Sequence, residues 1–279
     1  MNERNEPPPE ISVIVPCYNY GHFLADALES LLAQDFEDWE CLIIDDGSKD
    51  NSKEVALAFQ ERDSRIRYIF QENAGLSAAR NKGLENSRGQ YIQLLDADDG
   101  IASNKLQIQY QFLQENPEIP LVFGDAILFS RSLVEAKNAR STFSSPTKDF
   151  KVSANGKQLL KMLVRDNFLE VSCPLFRKNF ATKIGLFDTS LKSYEDWQYW
   201  FRAALQDVCF HYFPITGSET FIRKGHASMM QQLRQMNAAG LQIRHFMQGN
   251  LNGRLAWYNR LRIIRLLIKR SILKLAGKI

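Results

Sequence analysis

The chain has 279 residues, of which 44% are hydrophobic, 24% charged and 11% aromatic, a composition typical of folded globular proteins. Four cysteines without CxxC spacing exclude a disulfide scaffold and indicate no zinc site. No apolar run approaches the roughly 18 residues of a membrane-spanning helix. The polar opening MNERNEPPPE lacks the regions of a signal peptide, which predicts a cytoplasmic protein with a disordered tail over residues 1–10.

Charge is divided unevenly along the chain. Residues 220–279 hold twelve Lys or Arg and no Asp or Glu, whereas residues 1–219 hold 23 basic and 32 acidic residues. A basic block of this kind is typical of segments that meet phosphate groups, in nucleic acid or in anionic lipid. The two parts of the chain are therefore expected to face different surroundings.

Apolar, β-branched segments alternate with helical patterns through the first half of the chain. The segments begin at Ile11, Cys41, Ile66, Tyr91 and Leu121. Helical periodicity is found over residues 23–33, 52–62, 76–85 and 104–115. Continuous apolar strands separated by helices predict an α/β fold with a doubly wound, mostly parallel sheet.

The second half is less regular. Residues 129–153 are polar, and helical patterns follow at 156–165 and 195–205, with strands expected at 172–176 and 209–213. We expect this half to complete the same core.

Polar motifs follow four of the predicted strands. They read PCYN at 16–19, DDGS at 45–48, NAG at 73–75 and DADD at 96–99. Because the carboxyl ends of parallel strands meet at one edge of a sheet, these motifs are expected to line one ligand cleft.

The acidic motif at the fourth strand indicates a cation. Asp96, Asp98 and Asp99 would repel one another in a crevice. A divalent ion such as Mg²⁺ or Mn²⁺, held by one or two carboxylates and completed by substrate phosphates, removes this repulsion. The alternative is a solvated Asp-Gly turn.

The first two motifs are typical of a nucleoside pocket. Gly47 allows a tight turn in which Asp46 can accept a hydrogen bond from a nucleobase edge. Tyr18 offers a ring for stacking and Asn19 an amide for the base edge. The alternatives are core packing for Tyr18 and helix capping by the residues after Gly47.

Four segments together resemble the family-2 glycosyltransferases over residues 11–226. They are VIVPCYNYGHFLADALESLLAQ, IIDDGSKDNS, NAGLSAARNKGLENSRGQYIQLLDADD and YEDWQYWFRA. The resemblance implies the GT-A fold and inverting transfer of a hexosyl or N-acetylhexosaminyl group from a nucleotide sugar, most often UDP-linked. It implies a nucleotide-sugar half at 11–125, an acceptor half at 126–226 and a basic helical extension at 227–279.

The resemblance also implies roles for individual residues. The residues that it assigns to the donor are Pro16, Tyr18, Asn19, Asp46, Asn73, Arg80, Asp96 and His226. Arg80 would lie near the base or diphosphate, and His226 over the diphosphate. In the DxD motif, Asp98 would bind Mn²⁺ or Mg²⁺, and Asp96 the ribose or the metal shell.

An acidic pair opens the helical pattern at 195–205. The resemblance makes Asp196 the general base, and Glu195 the second candidate or a hydrogen-bonding partner of the acceptor. A carboxylate suits this task because an acceptor hydroxyl has a pKa far above 7 and must lose its proton as the new bond forms. The alternative is a favourable interaction of the pair with the helix dipole.

The C-terminal residues mix cations with apolar side chains. From Asn252 onward the chain holds eight Arg or Lys among Leu, Ile, Trp and Tyr. Such a helix can lie in an anionic membrane interface or pack on the core with a solvated basic face. Family members that act on lipid-linked glycans favour peripheral attachment to the cytoplasmic face of the inner membrane. Without a recognisable nucleic-acid-binding domain, no nucleic-acid partner is expected.

The sequence therefore predicts a metal-dependent glycosyltransferase of cell-surface polysaccharide assembly, acting on a glycan or lipid-linked acceptor. One alternative is a sugar-phosphate nucleotidyltransferase, which normally has a Gly-rich basic loop where this chain reads PCYNYGHF. The other is a non-catalytic nucleotide-sugar-binding module, which would tolerate loss of Asp196. A dehydrogenase is disfavoured because no GxGxxG follows Val15.

Overall fold

The computed structural model describes residues 7–130, 132–139, 152–224 and 233–275. Its strands are β1 (Ile11–Cys17), β2 (Trp39–Asp45), β3 (Ile66–Phe70), β4 (Tyr91–Leu94), β5 (Gly100–Ile101), β6 (Leu121–Phe123), β7 (Ala126–Phe129), β8 (Pro174–Arg177), β9 (Phe210–Tyr212) and β10 (Thr220–Arg223). Its helices are α1 (Gly21–Leu32), α2 (Ser52–Arg62), α3 (Leu76–Asn86), α4 (Lys105–Glu115), α5 (Leu133–Ala139), α6 (Gly156–Arg165), α7 (Lys178–Ile184), α8 (Glu195–Leu205), α9 (Leu233–Gly249) and α10 (Gly253–Leu275).

The central sheet has seven strands in the order β3-β2-β1-β4-β8-β6-β9. Strands β1 to β4 run parallel, and every residue of β1, β2 and β4 is buried. Burial on both faces explains why these segments are continuously apolar rather than alternating. The α/β class and the mostly parallel sheet are confirmed.

One strand departs from the simple parallel order. β8 inserts between β4 and β6 and runs antiparallel to both. The strand predicted at Leu121 therefore follows β4 in sequence but is not its neighbour in the sheet. The second half of the chain supplies both β8 and β9 to this sheet, and β8 takes the place next to β4.

A second, small sheet has the order β5-β10-β7. β10 pairs antiparallel with β5 and parallel with β7. These strands have two to four residues, too short for hydrophobic periodicity to reveal them. The sheet holds the end of the acidic DADD motif, because β5 begins directly after it.

The C-terminal helices pack on the core along one side. α9 buries Ile243 and Met247, and α10 buries Asn259 and Ile263. Asn259 Nδ2 donates to the carbonyl of Arg244 on α9 at 2.8 Å. Of the two alternatives for the basic segment, packing on the core is thus found for one face of α10. Within the described residues, no helix is both long and apolar enough to cross a bilayer.

Residues 7–10, which belong to the tail expected to be disordered, lead directly into β1. Pro9 is buried, and the Glu10 carbonyl accepts a hydrogen bond from the Tyr91 amide at 2.9 Å, which extends the pairing of β1 with β4. Residues 1–6 lie outside the described residues. The division into domains stays a prediction.

A buried lysine joins α4 to the sheet. Lys105 is fully buried, and its Nζ donates to Gln93 Oε1 at 3.0 Å, Gln109 Oε1 at 2.6 Å and the Cys173 carbonyl at 2.7 Å. Burial lowers its pKa to about 7. The three acceptors belong to β4, to α4 and to the residue before β8, so one amine ties three parts of the core together.

We predict that Lys105→Met lowers the free energy of unfolding by about 2–4 kcal/mol, because buried acceptors lose their donor. Urea unfolding measures this change. The control is Lys53→Met on the exposed surface of α2, which should change the value by less than about 0.5 kcal/mol. Equal unfolding midpoints for the two variants would show that the amine does not hold the core.

Candidate active site

The polar motifs after the parallel strands meet at one edge of the sheet, as expected. The Asp46 amide donates to the Cys17 carbonyl at 2.8 Å, and the Gln71 amide donates to the Asp45 carbonyl at 2.9 Å. The ends of β1, β2 and β3 are therefore neighbours. The DADD motif follows β4, and β4 pairs with β1 on the side of β1 that is opposite to β2.

Asp46 organises the loop that leads into α3. Its buried carboxylate accepts hydrogen bonds from Gln71 Nε2, Asn73 Nδ2, Ala74 N and Gly75 N at 2.7 to 3.2 Å. Gly47 has φ +77°, and a Cβ there would lie 2.9 Å from the Asn73 nitrogen, so the loop needs glycine. A direct contact of Asp46 with a nucleobase stays a prediction, and it would compete with four donors already in place.

The PCYN motif presents one ring to solvent. Tyr18 is 45% exposed, whereas Pro16 is buried within β1. Asn19 has a left-handed backbone with φ 57°. Its backbone N–H donates to Ser48 Oγ at 3.0 Å, and its side-chain Oδ1 accepts from the backbone N–H of Lys49 at 2.7 Å. At this edge of the sheet Tyr18 is accessible for stacking, while Asn19 joins the loop after β1 to the loop after β2.

Arg80 connects the two acidic motifs. Its side chain is buried, and its guanidinium donates to Asp96 Oδ1 at 2.8 Å and to Glu195 Oε1 at 2.5 Å. It also lies over the ring of Phe187, 5.6 Å from the centroid. Residues 80 and 195 are 115 positions apart, so this contact brings the DxD motif and the acidic pair of α8 into one site. The expected contact of Arg80 with nucleotide stays a prediction.

The acidic pair at the start of α8 occupies two different environments. Glu195 is buried against Arg80. Asp196 is partly buried, and its carboxylate accepts from Asn167 Nδ2 at 2.8 Å and from the Trp197 amide at 2.7 Å. Two adjacent acids with different partners are suited to different tasks. Glu195 is engaged as a positioning group, which favours Asp196 as the base.

Burial raises the pKa of Asp196 to about 7, and the negative charges of Glu195 and Glu170 add to this effect. The hydrogen bond from Asn167 and the charge of Arg80 act in the opposite direction. A carboxyl with a pKa near neutrality can both take up and release a proton at physiological pH. This property is typical of a general base.

A clamp of three side-chain hydrogen bonds covers the end of α6, two residues before Asn167. The last carbonyls of this helix accept side-chain donors from three helices: Leu163 from Trp197 Nε1, Val164 from Arg244 Nη1 and Arg165 from Arg262 Nη2. These donors satisfy carbonyls that have no partner within a helix. Two residues further on, Asn167 reaches Asp196, and its own Oδ1 is buried with no partner among the described residues.

The DADD carboxylates lie in a region of low solvation. Asp99 Oδ2 accepts from Ser172 Oγ at 2.8 Å, and Asp99 Oδ1 accepts from the Arg223 amide at 3.0 Å. Burial, and then repulsion from Asp96, raises the pKa of Asp98 to about 7. Burial also raises the pKa of Asp99 well above its usual range. Asp99 is therefore structural, whereas Asp96 and Asp98 form a close pair of carboxylates that repel each other.

The donor set fits a cation that is only partly held by protein. No three His, Cys, Asp or Glu side chains converge as a ready-made metal centre within the described ranges. Asp96 and Asp98 supply carboxylate oxygens, which Mg²⁺ and Mn²⁺ prefer. One oxygen of Asp96 is taken by Arg80, so a bound ion would need further ligands from a diphosphate and water.

Three positioning residues were missed by the sequence analysis. They are Asn167, Ser172 and Arg223. Asn167 begins the mostly apolar stretch NFLEVSCPLF and Ser172 lies within it, and polar residues at these positions could have marked both. Arg223 is buried, and it donates to the Asp98 carbonyl and to Asp26. Arg223 lies three residues before His226, which is outside the described residues.

Comparison with known sequences finds a family model and related proteins that match this chain. The chain matches the family model described as Glycosyl transferase family 2 over residues 12–167. It is 31% identical over 205 residues to an uncharacterized glycosyltransferase of Rickettsia typhi, covering 72% of this chain and 60% of the relative. Glycosyltransferase GlyG of Streptococcus pneumoniae is 39% identical over 123 residues, covering 44% of this chain and 40% of the relative. The chain thus spans less than two thirds of these relatives.

Two solved structures share the fold. One is S. aureus TarS 1–349 in complex with UDP-GlcNAc, with a TM-score of 0.62, 20% identity and coverage of 92% of this chain and 71% of that chain. The other is the mannosyltransferase PcManGT from Pyrobaculum calidifontis in complex with GDP-Man and Mn²⁺, with a TM-score of 0.64, 15% identity and coverage of 98% and 77%. These likenesses establish the expected GT-A fold.

We predict that Arg80→Met lowers the free energy of unfolding by about 3–5 kcal/mol, because it leaves the buried Glu195 carboxylate without its cation. Urea unfolding is the measurement. The double variant Arg80→Met/Glu195→Met should recover much of this loss. As a control, Arg62→Met breaks the exposed pair with Glu29 and should leave the unfolding midpoint nearly unchanged. Additive losses in the double variant would contradict the coupling.

Proposed function

The chain belongs to glycosyl transferase family 2, and on this premise we propose that it transfers a sugar, with inversion, from a UDP-linked donor to a hydroxyl of a glycan or lipid-linked acceptor. The observation that carries the proposal is the contact of one guanidinium, that of Arg80, with both Asp96 and Glu195. This contact supports the proposal because Asp96, which we assign to the diphosphate side, and Glu195, which precedes the assigned base, both contact one side chain.

The donor side is the edge formed by the PCYN, DDGS and NAG motifs. The exposed ring of Tyr18 is suited to stacking on a nucleobase, and Asn73 lies on the loop that Asp46 fixes. TarS has been solved with UDP-GlcNAc and PcManGT with GDP-Man. These complexes support a nucleoside-diphosphate sugar, and they leave open both a hexosyl and an N-acetylhexosaminyl donor.

We further propose that Asp98, with Asp96, holds Mn²⁺ or Mg²⁺ once a diphosphate is present. The carboxylate donor set and the repulsion between Asp96 and Asp98 support this assignment. When bound, such an ion would stabilise the charge that develops on the departing diphosphate. No protein acid is then required at the leaving group.

The base is Asp196. Its carboxylate takes the proton of the acceptor hydroxyl as the bond to the anomeric carbon forms, and a single displacement inverts the configuration there. Asn167 Nδ2 and the Trp197 amide hold the two carboxylate oxygens in place. Arg80 and Glu195 fix the start of α8 against the DxD motif.

We propose that the acceptor belongs to cell-surface polysaccharide assembly and that the enzyme attaches peripherally to the cytoplasmic face of the inner membrane. The basic C-terminal block, with twelve cations and no acid in residues 220–279, supports this assignment. So does the resemblance to enzymes that act on lipid-linked glycans.

Asp196→Asn should lower kcat by about 10²- to 10⁴-fold, the usual contribution of a general base, while donor binding is retained. A thermal-shift screen of UDP- and GDP-sugars with Mn²⁺ or Mg²⁺ first identifies the donor. UDP or GDP release then measures turnover, and calorimetry measures affinity. Wild-type turnover in this variant would remove Asp196 as the base, whereas no turnover of the wild-type chain with any donor that it binds would favour a non-catalytic module.

The pH profile gives a second measure of the base. Because only the ionised carboxylate can accept a proton, kcat/KM should be low below pH 7, rise through about pH 7 and level off above it. Asn167→Ala removes a donor to the charged form, which raises the pKa of Asp196 and should move this rise to higher pH. A profile that is unchanged in the variant would contradict the assigned role of Asn167.

Asp98→Ala should abolish the metal-dependent part of nucleotide binding. Calorimetry of UDP binding with and without Mn²⁺ makes the comparison in the wild type and the variant. Asp26→Asn is the control, because its carboxylate pairs with Arg223 beside the motif but is not assigned to the ion. Equal Mn²⁺ dependence in Asp98→Ala and in the wild type would contradict the metal role.

A further inference from the structure

The side of α10 that faces away from the core is apolar. Trp257, Ile264 and Ile268 are 64%, 46% and 55% exposed. Their separations of seven and four residues place them along one stripe of the helix, here called the outer stripe. The buried residues Asn259 and Ile263 lie on the opposite side. α10 therefore has an apolar outer face and a buried face, and only the buried face packs against other elements within the described residues.

Arginines flank the outer stripe on both sides. Arg254 and Arg260 lie three residues before and three residues after Trp257, which places them on opposite sides of its ring. Arg265 follows Ile264 directly, on the same side as Arg254, and all three are exposed. An apolar stripe with cations on both sides is the pattern of a helix that lies in the interface of an anionic bilayer.

A pocket of about 570 Å³ opens between α6 and α10. It is lined by Lys161, Arg165, Arg254, Leu255, Trp257 and Tyr258. Three of these side chains are cationic, two are aromatic and none is acidic. Lys161 and Arg165 are four residues apart on α6, so they lie on one face of that helix. The pocket thus combines positive charge with apolar walls next to the outer stripe.

We infer that the outer stripe and the α6–α10 pocket form one docking surface for a membrane of anionic phospholipids. The stripe enters the headgroup layer, the flanking arginines meet lipid phosphates, and the pocket takes one headgroup. Charge complementarity carries the choice of partner, because each cation near an anionic bilayer contributes to binding and no acid opposes it.

Two other partners fit the surface less well. A second copy pairing through the same face would bring the same arginines of both copies together, and their positive charges would repel one another. Nucleic acid would match the cations but would leave the outer stripe, with Trp257 64% exposed, without an apolar partner. A bilayer interface satisfies both the cations and the stripe.

The location of this surface adds to the proposed function. Arg165, at the pocket, lies two residues before Asn167, which holds Asp196. A docked membrane would therefore lie beside the base, where a lipid-linked acceptor has to enter. The entry of a lipid-linked acceptor at this place rests on the proposed function, whereas the binding of the surface to lipid requires no sugar transfer.

The test is co-sedimentation of the full chain with vesicles of phosphatidylcholine alone and of phosphatidylcholine with an equal amount of phosphatidylglycerol. We expect binding to the anionic vesicles only. Arg254→Gln should weaken it by about fivefold, the equivalent of about 1 kcal/mol for one cation. Trp257→Ala should weaken it by about tenfold or more, because a large apolar side chain no longer enters the interface. Lys183→Gln, the loss of an exposed cation on α7, is the matched control.

Circular dichroism and UDP calorimetry on the same variants separate this inference from the proposed reaction. Folded variants that bind nucleotide but not vesicles support the docking surface. Wild-type vesicle binding in Trp257→Ala and Arg254→Gln would overturn it, as would equal loss in Lys183→Gln. Light scattering that shows a dimer dependent on Trp257 would assign the face to a second copy, and salt-sensitive RNA binding without lipid binding would assign it to nucleic acid.

Discussion

The buried guanidinium of Arg80 is the interaction on which the site depends. A charge of this kind is costly to remove from water unless partners surround it, and here the partners are carboxylates from two distant parts of the chain. Asp46 fixes the loop before α3, α3 carries Arg80, and Arg80 holds both Asp96 and Glu195. The ends of the first strands and the start of α8 are therefore linked by one continuous set of polar contacts. Neither half of the chain completes the site alone.

The two carboxylates at the start of α8 show how neighbouring residues acquire different chemistry. Glu195 faces Arg80 and is engaged in an ion pair. Asp196 accepts hydrogen bonds from Asn167 and from the Trp197 amide in a poorly solvated place that raises its pKa to about 7. A reading of the motif by itself treats the two acids as alternatives. Their different surroundings are what favour Asp196 over Glu195 for the proposed role of base.

The sequence predicted the parallel core well, since strands buried on both faces leave continuous apolar segments such as ISVIV and CLIID. The polar ends of these strands met at one edge because parallel order requires it. The antiparallel insertion of β8 and the small sheet around β10 were not foreseen, because both depend on tertiary pairing of strands with only two to four residues. Asn167 and Ser172 were missed for a similar reason: their function comes from what the fold places opposite them.

The clamp on the end of α6 changes how the C-terminal helices should be regarded. Arg244 and Arg262 cover main-chain oxygens of the turn that leads to Asn167, so α9 and α10 are structural neighbours of Asp196, the proposed base, and not a detachable anchor. A shortened chain would expose those oxygens and loosen the support of Asp196 along with any hold on lipid. Inactivity after truncation would then report a damaged scaffold, and single outward-facing substitutions are the way to study attachment without disturbing catalysis.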